Sequence, residues 1–223
     1  MHIRKPLLLG VLLLSVVTLS ALVGARIWID KPRNETGILD SAEIAEYEGQ
    51  MLSSIEDFRE NSIKGPQALN EEEYGLTVTG LVNNTRVYTY DDVLDGHQRY
   101  EKVVTIHCIE GWEVTILWEG VLVKDLIEEA GIDPAAKVVK FFAYDGYSTS
   151  LPLEYIVDND ILMAHKMNGV VLPPERGFPF QLVAESKLGY KWIKWITEIE
   201  LSDDANYRGY WESRGFSNDA DLP

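Results

Sequence analysis

VVTIHCIEGWEVTILWEG, residues 103–120, sets the chain's single cysteine, Cys108, between two apolar runs, Val103–Ile106 and Val114–Leu117. Both runs are rich in β-branched residues, which suits two buried or half-buried strands. Glu110-Gly111 supplies turn chemistry between them. Cys108 therefore stands where a strand gives way to a turn, and there a side chain can face a cleft while the strand holds its position. The competing reading is a small core residue, because free cysteine is among the most buried residue types. This window alone favours the core residue.

Downstream, VLVKDLIEEA (121–130) predicts a short helix closed by Gly131 in the left-handed region. A strand over 138–143 and a turn at Asp145-Gly146 follow, then a polar-aromatic loop over 147–150 and a short helix after Leu153. The apolar stretch 161–164 precedes a hairpin turn at Asn168-Gly169, and further strands are expected over 170–172, 180–184 and 195–201. Upstream, LTVTGLV (76–82) alternates like a strand, and a second strand over 87–90 leads into a helix through Leu94. Many short strands with irregular connections predict an α+β fold with mixed, mainly antiparallel sheets. From 41 to 64, Ile44, Tyr47, Met51, Ile55 and Phe58 recur at spacings of three and four, which predicts an amphipathic linker helix ended by Gly65-Pro66.

The 223 residues carry 36 acidic against 20 basic side chains, net −16. Beyond residue 33 the balance is 15 basic to 35 acidic, net −20. Such a surface repels phosphate backbones and excludes nucleic acid as a partner. One cysteine excludes an internal disulfide, and with four histidines it excludes a structural zinc module of the usual spacing. Leu7–Ala25 is an uncharged run preceded by Arg4 and Lys5, long enough as a helix to span a bilayer. A cleaved signal peptide and an uncleaved anchor both fit; the length favours the anchor. The expected organisation is a membrane segment over 1–33, the linker helix over 34–70 and one domain over 71–223. That domain would lie outside the cytoplasm, on the periplasmic or cell-surface side.

The third quarter concentrates cations in an acidic chain: Arg176, Lys187, Lys191 and Lys194 lie within 19 residues around Gly189. Donors grouped around a glycine turn suit an anionic, phosphate-bearing ligand. A surface ribbon paired with nearby acids explains them equally well.

In order along the chain, GLVNNTRVYTYDDVL, IHCIEGWEV, WEGVLVKDLIEEAG, DGYSTSLPL, MNGVVLP, GFPFQLV, LGYKWIKWITEIEL and GYWESRGFSNDA resemble the molybdopterin-binding oxidoreductase domain shared by sulfite oxidases and the catalytic subunit of periplasmic methionine sulfoxide reductase. The resemblance covers about two-thirds of the chain, and its motifs are specific as a set. It implies a Mo-molybdopterin cofactor with molybdenum ligated by Cys108, whose soft thiolate suits a redox transition metal. It further implies two-electron oxygen-atom transfer on a small substrate of sulfoxide, N-oxide or sulfite type. Tyr147 and Cys108 become the catalytic candidates, with Glu110 and Trp112 near the pocket wall. Ser148, Arg176, Gln181, Gly189, Tyr190 and Lys191 become cofactor-binding candidates, Gly189 and Lys191 toward the pterin phosphate.

Three departures from the family pattern carry expectations of their own. Gln181 stands where relatives place an arginine, and Arg176 is expected to compensate at the same phosphate. Arg4-Lys5 replaces the twin arginines of exported members. Neither the sulfite oxidases' extra C-terminal domain nor a haem-attachment Cys-x-x-Cys-His motif is found, so electrons are expected to pass through a separate partner. The alternative is a cofactor-free member of the fold acting as an extracytoplasmic binding or adaptor module. The acidic background favours a neutral sulfoxide or N-oxide over sulfite as substrate.

Overall fold

A computed structural model describes residues 43–222. Its elements run β1 (Glu46–Tyr47), β2 (Gln50–Met51), β3 (Leu76–Gly80), β4 (Arg86–Tyr88), α1 (Tyr90–Gly96), β5 (Arg99–His107), β6 (Glu113–Leu122) and α2 (Val123–Ala130). They continue as β7 (Val138–Ala143), β8 (Ser148–Pro152), α3 (Leu153–Asp158), β9 (Leu162–Met167), β10 (Val170–Val171), β11 (Gln181–Val183) and β12 (Ile196–Ser202). One sheet has the order β10-β9-β6-β5 with β11 also paired to β9, and its pairings are all antiparallel. The other has the order β4-β3-β12-β7-β8, in which only β3 and β12 run parallel. The fold is α+β with mainly antiparallel sheets.

The opening stretch forms the longest ladder, from Arg99 opposite Val121 to His107 opposite Glu113. Its two strands supply Ile106, Val114, Ile116, Leu117 and Trp118 to the buried interior. Next to Trp118, β6 shifts register against β9 between Glu119 and Gly120. A Cβ at Gly120 would lie 2.1 Å from the Met163 carbonyl oxygen, so only glycine lets these two backbones approach. α2 buries Val123, Leu126, Ile127 and Ala130, the 3.6-residue stripe of a helix packed on one side. Gly131, at φ 78°, ends it.

The linker helix expected over 41–64 does not form in the described part of that segment. Glu48 and Gly49 adopt φ 49° and 83°, which turn β1 back on β2. Backbone groups that a helix would pair internally bind the domain instead: Ile44 N–H donates to the Asn168 carbonyl and Ser53 N–H to that of Thr115. The apolar periodicity was met by tertiary contact at only one end of the stripe. Phe58 is buried, whereas Met51 is 69% exposed. Of the polar loop expected over 147–150, residues 148–150 are instead the start of β8, paired with β7. His107, the last residue of β5, lies half-exposed with Nδ1 3.0 Å from Glu113 Oε2. The membrane segment over 1–33 lies outside the described residues, and no described helix is long and apolar enough to cross a membrane.

Candidate active site

β5 ends at His107, and the next residue is locked by the turn that returns the chain to β6. Cys108 N–H donates to the Trp112 carbonyl at 2.9 Å, and the Cys108 carbonyl accepts from Gly111 N–H at 2.9 Å. Gly111 takes φ 86°, which the Glu110-Gly111 pair had indicated. The 188–191 turn crosses the strand end, with His107 and Leu188 in a parallel bridge. A Cβ on Gly189 would lie 3.6 Å from Cys108 Cα, so main chain abuts the cysteine directly. Cys108 thus lines a cavity of about 470 Å3. Burial pushes its thiol up, opposed by hydrogen bonds from the Glu110 backbone and from Asn61.

The segment after Phe58 forms the opposite wall. Its sequence, Phe58-Arg59-Glu60-Asn61-Ser62-Ile63, lines the cavity throughout. A capping box between Ser54 and Asp57 fixes the turn before it. Phe58 then packs edge-on against Trp112 and Trp118, with centroids 5.9 and 6.2 Å away. Arg176 ties this wall down, donating to the carbonyls of Phe58 at 3.2 Å and Arg59 at 3.4 Å. Lys194 donates to Glu60 Oε1 at 2.9 Å, and Asn61 Nδ2 reaches Cys108 Sγ at 3.4 Å. Burial pushes the Lys194 ammonium down, and the Glu60 carboxylate opposes that shift. For Glu60, burial acts upward but is outweighed by the hydrogen bond from Lys194 and by the charges of Lys194 and Arg176. Its carboxyl is held below the usual range.

Of the residues singled out from sequence, Cys108, Tyr147, Arg176, Gln181, Gly189 and Tyr190 come together on this cavity, and Glu110 and Trp112 join them. The Tyr147 hydroxyl donates to the Tyr190 carbonyl at 2.5 Å, and burial raises the phenol above its ordinary range. Ser148 and Lys191 are not on the wall. Ser148 Oγ accepts from the Tyr207 hydroxyl at 3.0 Å. Lys191, expected at a phosphate, is fully buried with Nζ 2.6 Å from Glu212 Oε1 and 2.9 Å from the Ser150 carbonyl. A buried ammonium needs a counter-charge, and Glu212, also fully buried, supplies it. Of the aromatics near the end of the chain, Trp211 and Phe216 line the cavity. Sequence reasoning missed the 59–62 wall, because a helical stripe was read through it. The interruption of that stripe by Arg59-Glu60-Asn61-Ser62 was the available signal.

A test of fit to a metal-bearing cofactor rests on the donors. Among the described residues, Ser62 Oγ, Trp112 Nε1 and Arg176 Nε are buried without a hydrogen-bond partner, and all three residues line this cavity. Unpaired buried donors are costly and call for an acceptor. A thiol suited to a soft metal, three idle donors and the cations Arg59 and Arg176 match an acceptor-rich, phosphorylated group. The residues fit.

Comparison with known proteins agrees. The chain is 34% identical to an uncharacterized oxidoreductase of Bacillus subtilis, YuiH, over 145 residues, covering 65% of this chain and 72% of that protein. It is 31% identical to a putative protein-methionine-sulfoxide reductase subunit of Azospira oryzae, YedZ1, over 144 residues, covering 65% of this chain and 54% of that protein. Among solved structures, the sulfane dehydrogenase SoxCD of Paracoccus pantotrophus superposes with a TM-score of 0.60 at 26% identity, over 63% of this chain and 41% of that one. The chain thus spans about half of the second relative and less than half of the solved structure. Residues 63–211 match the oxidoreductase molybdopterin binding domain, so the chain belongs to that family and molybdopterin is the cofactor of its fold.

Proposed function

We propose that this protein is a molybdopterin-dependent oxidoreductase whose reaction takes place beside Cys108. The observation that carries the reading is the lone thiol held rigidly on the wall of a cavity with three idle buried donors. When bound, the cofactor supplies two-electron oxygen-atom transfer on a small substrate; the protein's part is to bind, orient and enclose. Cys108 would ligate the molybdenum, its main chain clamped by the Gly111 turn and by Gly189. Arg176, with Nε free and Gln181 beside it on the wall, would take the phosphate together with the backbone at Gly189 and Tyr190. Trp112 Nε1 and Ser62 Oγ would donate to the pterin. Tyr147 acts as a positioning residue, because its hydroxyl is committed to the Tyr190 carbonyl. The aromatic walls exclude water, which strengthens each of these contacts.

The finer reading is a protein tethered through the uncharged run 7–25, with its domain outside the cytoplasm and a separate electron-transfer partner. The length of that run and the lack of a haem-attachment motif support it. Metal analysis of protein purified from its native host tests the central claim. About one molybdenum per chain is expected, lost in Cys108→Ser. Native protein without molybdenum or pterin fluorescence would place the chain with cofactor-free binding modules. Alkaline extraction of membranes tests the tether, for which retention in the pellet is expected.

A further inference from the structure

The cavity that holds Cys108 is charge-balanced: three cations, Arg59, Arg176 and Lys194, face three acids, Glu60, Glu110 and Asp145. The balance is not spread evenly. Glu60 sits one residue from Asn61, which touches the thiol sulfur, and its carboxylate occupies Lys194 at 2.9 Å. The ammonium's other bond goes to the Glu175 carbonyl at 3.1 Å, and its remaining face lies over Trp195, 4.4 Å from the ring centroid. The Lys194 ammonium is therefore committed to Glu60, the Glu175 carbonyl and the Trp195 ring, and has no idle donor with which to collect an anion. Arg176 gives Nη1 and Nη2 to the carbonyls of Arg59 and Phe58, so only its Nε stays open, the atom assigned above to the cofactor phosphate.

A second feature bears on the same space. Tyr147, Tyr210, Trp211, Phe216 and Tyr190 form a chain of rings with successive centroids 5.6, 5.3, 5.2 and 5.5 Å apart, closed by the Tyr147–Tyr190 hydrogen bond. All but Tyr210 line the cavity. An aromatic wall rewards an apolar substituent and offers an oxyanion nothing.

Resting on the oxidoreductase reading above, we infer that Glu60 is a specificity-determining residue: an internal carboxylate that holds the anion position of Lys194, so the site takes an uncharged oxide with an apolar substituent and turns away oxyanions. The discrimination is built from repulsion as much as attraction, since an entering anion must displace Glu60 or lie against it. Adding the cofactor's phosphate makes the cavity more negative still.

The test uses the full chain and two probes, sodium sulfate as an inert oxyanion and dimethyl sulfone as an uncharged oxide. Binding is read from the fluorescence of the cavity tryptophans, Trp112, Trp192, Trp195 and Trp211. Glu60→Gln keeps the shape and removes the charge. It is expected to bind sulfate at least about tenfold more tightly than wild type, with dimethyl sulfone affinity unchanged. Lys194→Met in the Glu60→Gln background is expected to abolish the gain, which assigns it to the freed ammonium. Wild-type protein that binds sulfate as tightly as Glu60→Gln overturns the inference, as does a gain that survives Lys194→Met. Should Glu60→Gln fail to fold, wild type against Lys194→Met decides: sulfate binding by wild type that Lys194→Met removes overturns it, and sulfate binding in neither supports it. These titrations do not depend on molybdenum content, so absence of the metal would refute the oxidoreductase reading while leaving the charge inference standing or falling by itself.

Discussion

Lys191→Met should destabilise this protein more than any surface substitution, by an amount that its surroundings set. Both side chains of the Lys191–Glu212 pair are 0% exposed. Glu212 Oε1 accepts from Lys191 Nζ and from Thr149 Oγ1, each at 2.6 Å, and Oε2 has no partner. Removing the ammonium leaves a carboxylate sealed in the interior with one hydroxyl donor. Breaking such a pair from one side costs about 3–5 kcal/mol. An independent bound comes from the escape route, because the stranded carboxylate can take up a proton. At pH 7 that costs an ordinary glutamate about 4 kcal/mol, at 1.36 kcal/mol per pH unit. The two figures agree, and for a domain of this size they correspond to a fall in Tm of about 10 °C. Because protonation becomes cheaper in acid, the deficit should shrink by about 1.4 kcal/mol for each unit that the pH is lowered from 7 toward 5. Urea unfolding of wild type, Lys191→Met and the double variant Lys191→Met/Glu212→Leu, each at pH 7 and pH 5.5, measures this. The double variant should recover most of the loss at both pH values. A single variant within about 1 kcal/mol of wild type, or a deficit independent of pH, would show that water or another cation reaches Glu212 and would refute the reasoning.

A second pH effect comes from His165, which is buried against Tyr90 and Glu119, the latter also paired with Lys166. Burial lowers its pKa to about 4, opposed by the Glu119 carboxylate. A histidine depressed in the folded state binds fewer protons than the unfolded chain between about pH 4 and its ordinary value near 6.5. Stability therefore falls as pH drops through that window, by roughly 2–3 kcal/mol, and His165→Gln should flatten this part of a stability–pH curve. Arg176→Ala should lower pterin content per chain severalfold, read by oxidised-pterin fluorescence after native purification; unchanged occupancy would remove Arg176 from the phosphate site. Phe58→Ala removes the ring packed between Trp112 and Trp118 and should cost about 3 kcal/mol, with faster proteolysis at 59–62. Gly120→Ala should prevent folding or cost more than about 3 kcal/mol, judged by soluble yield and Tm, because its Cβ would meet the Met163 carbonyl at 2.1 Å.

How much was legible follows from which signals are local. The strand–turn–strand around Cys108 was readable because β-branched runs and a glycine turn act within a few residues, and the ladder from 99 to 121 agrees with it. The same holds for α2, whose stripe and closing glycine are both short-range features. The 41–64 segment failed for the opposite reason. Its three-and-four spacing is real, but the backbone partners that decide it, Asn168 and Thr115, lie far away in sequence. The cation cluster was visible as composition, yet two lysines three residues apart meet different fates. Lys194 reaches the cavity, and Lys191 turns inward to Glu212.

By itself, then, the order of residues determined an acidic α+β domain, its strand pattern, and a lone thiol at a strand end among motifs of a molybdopterin-binding family. Only the tertiary structure decided what surrounds that thiol. The 58–63 wall, the Glu60–Lys194 pairing and the idle donors of Ser62, Trp112 and Arg176 arise from segments as much as 134 residues apart. Charge neutralisation and burial are set by three-dimensional neighbours, and no local spacing encodes them.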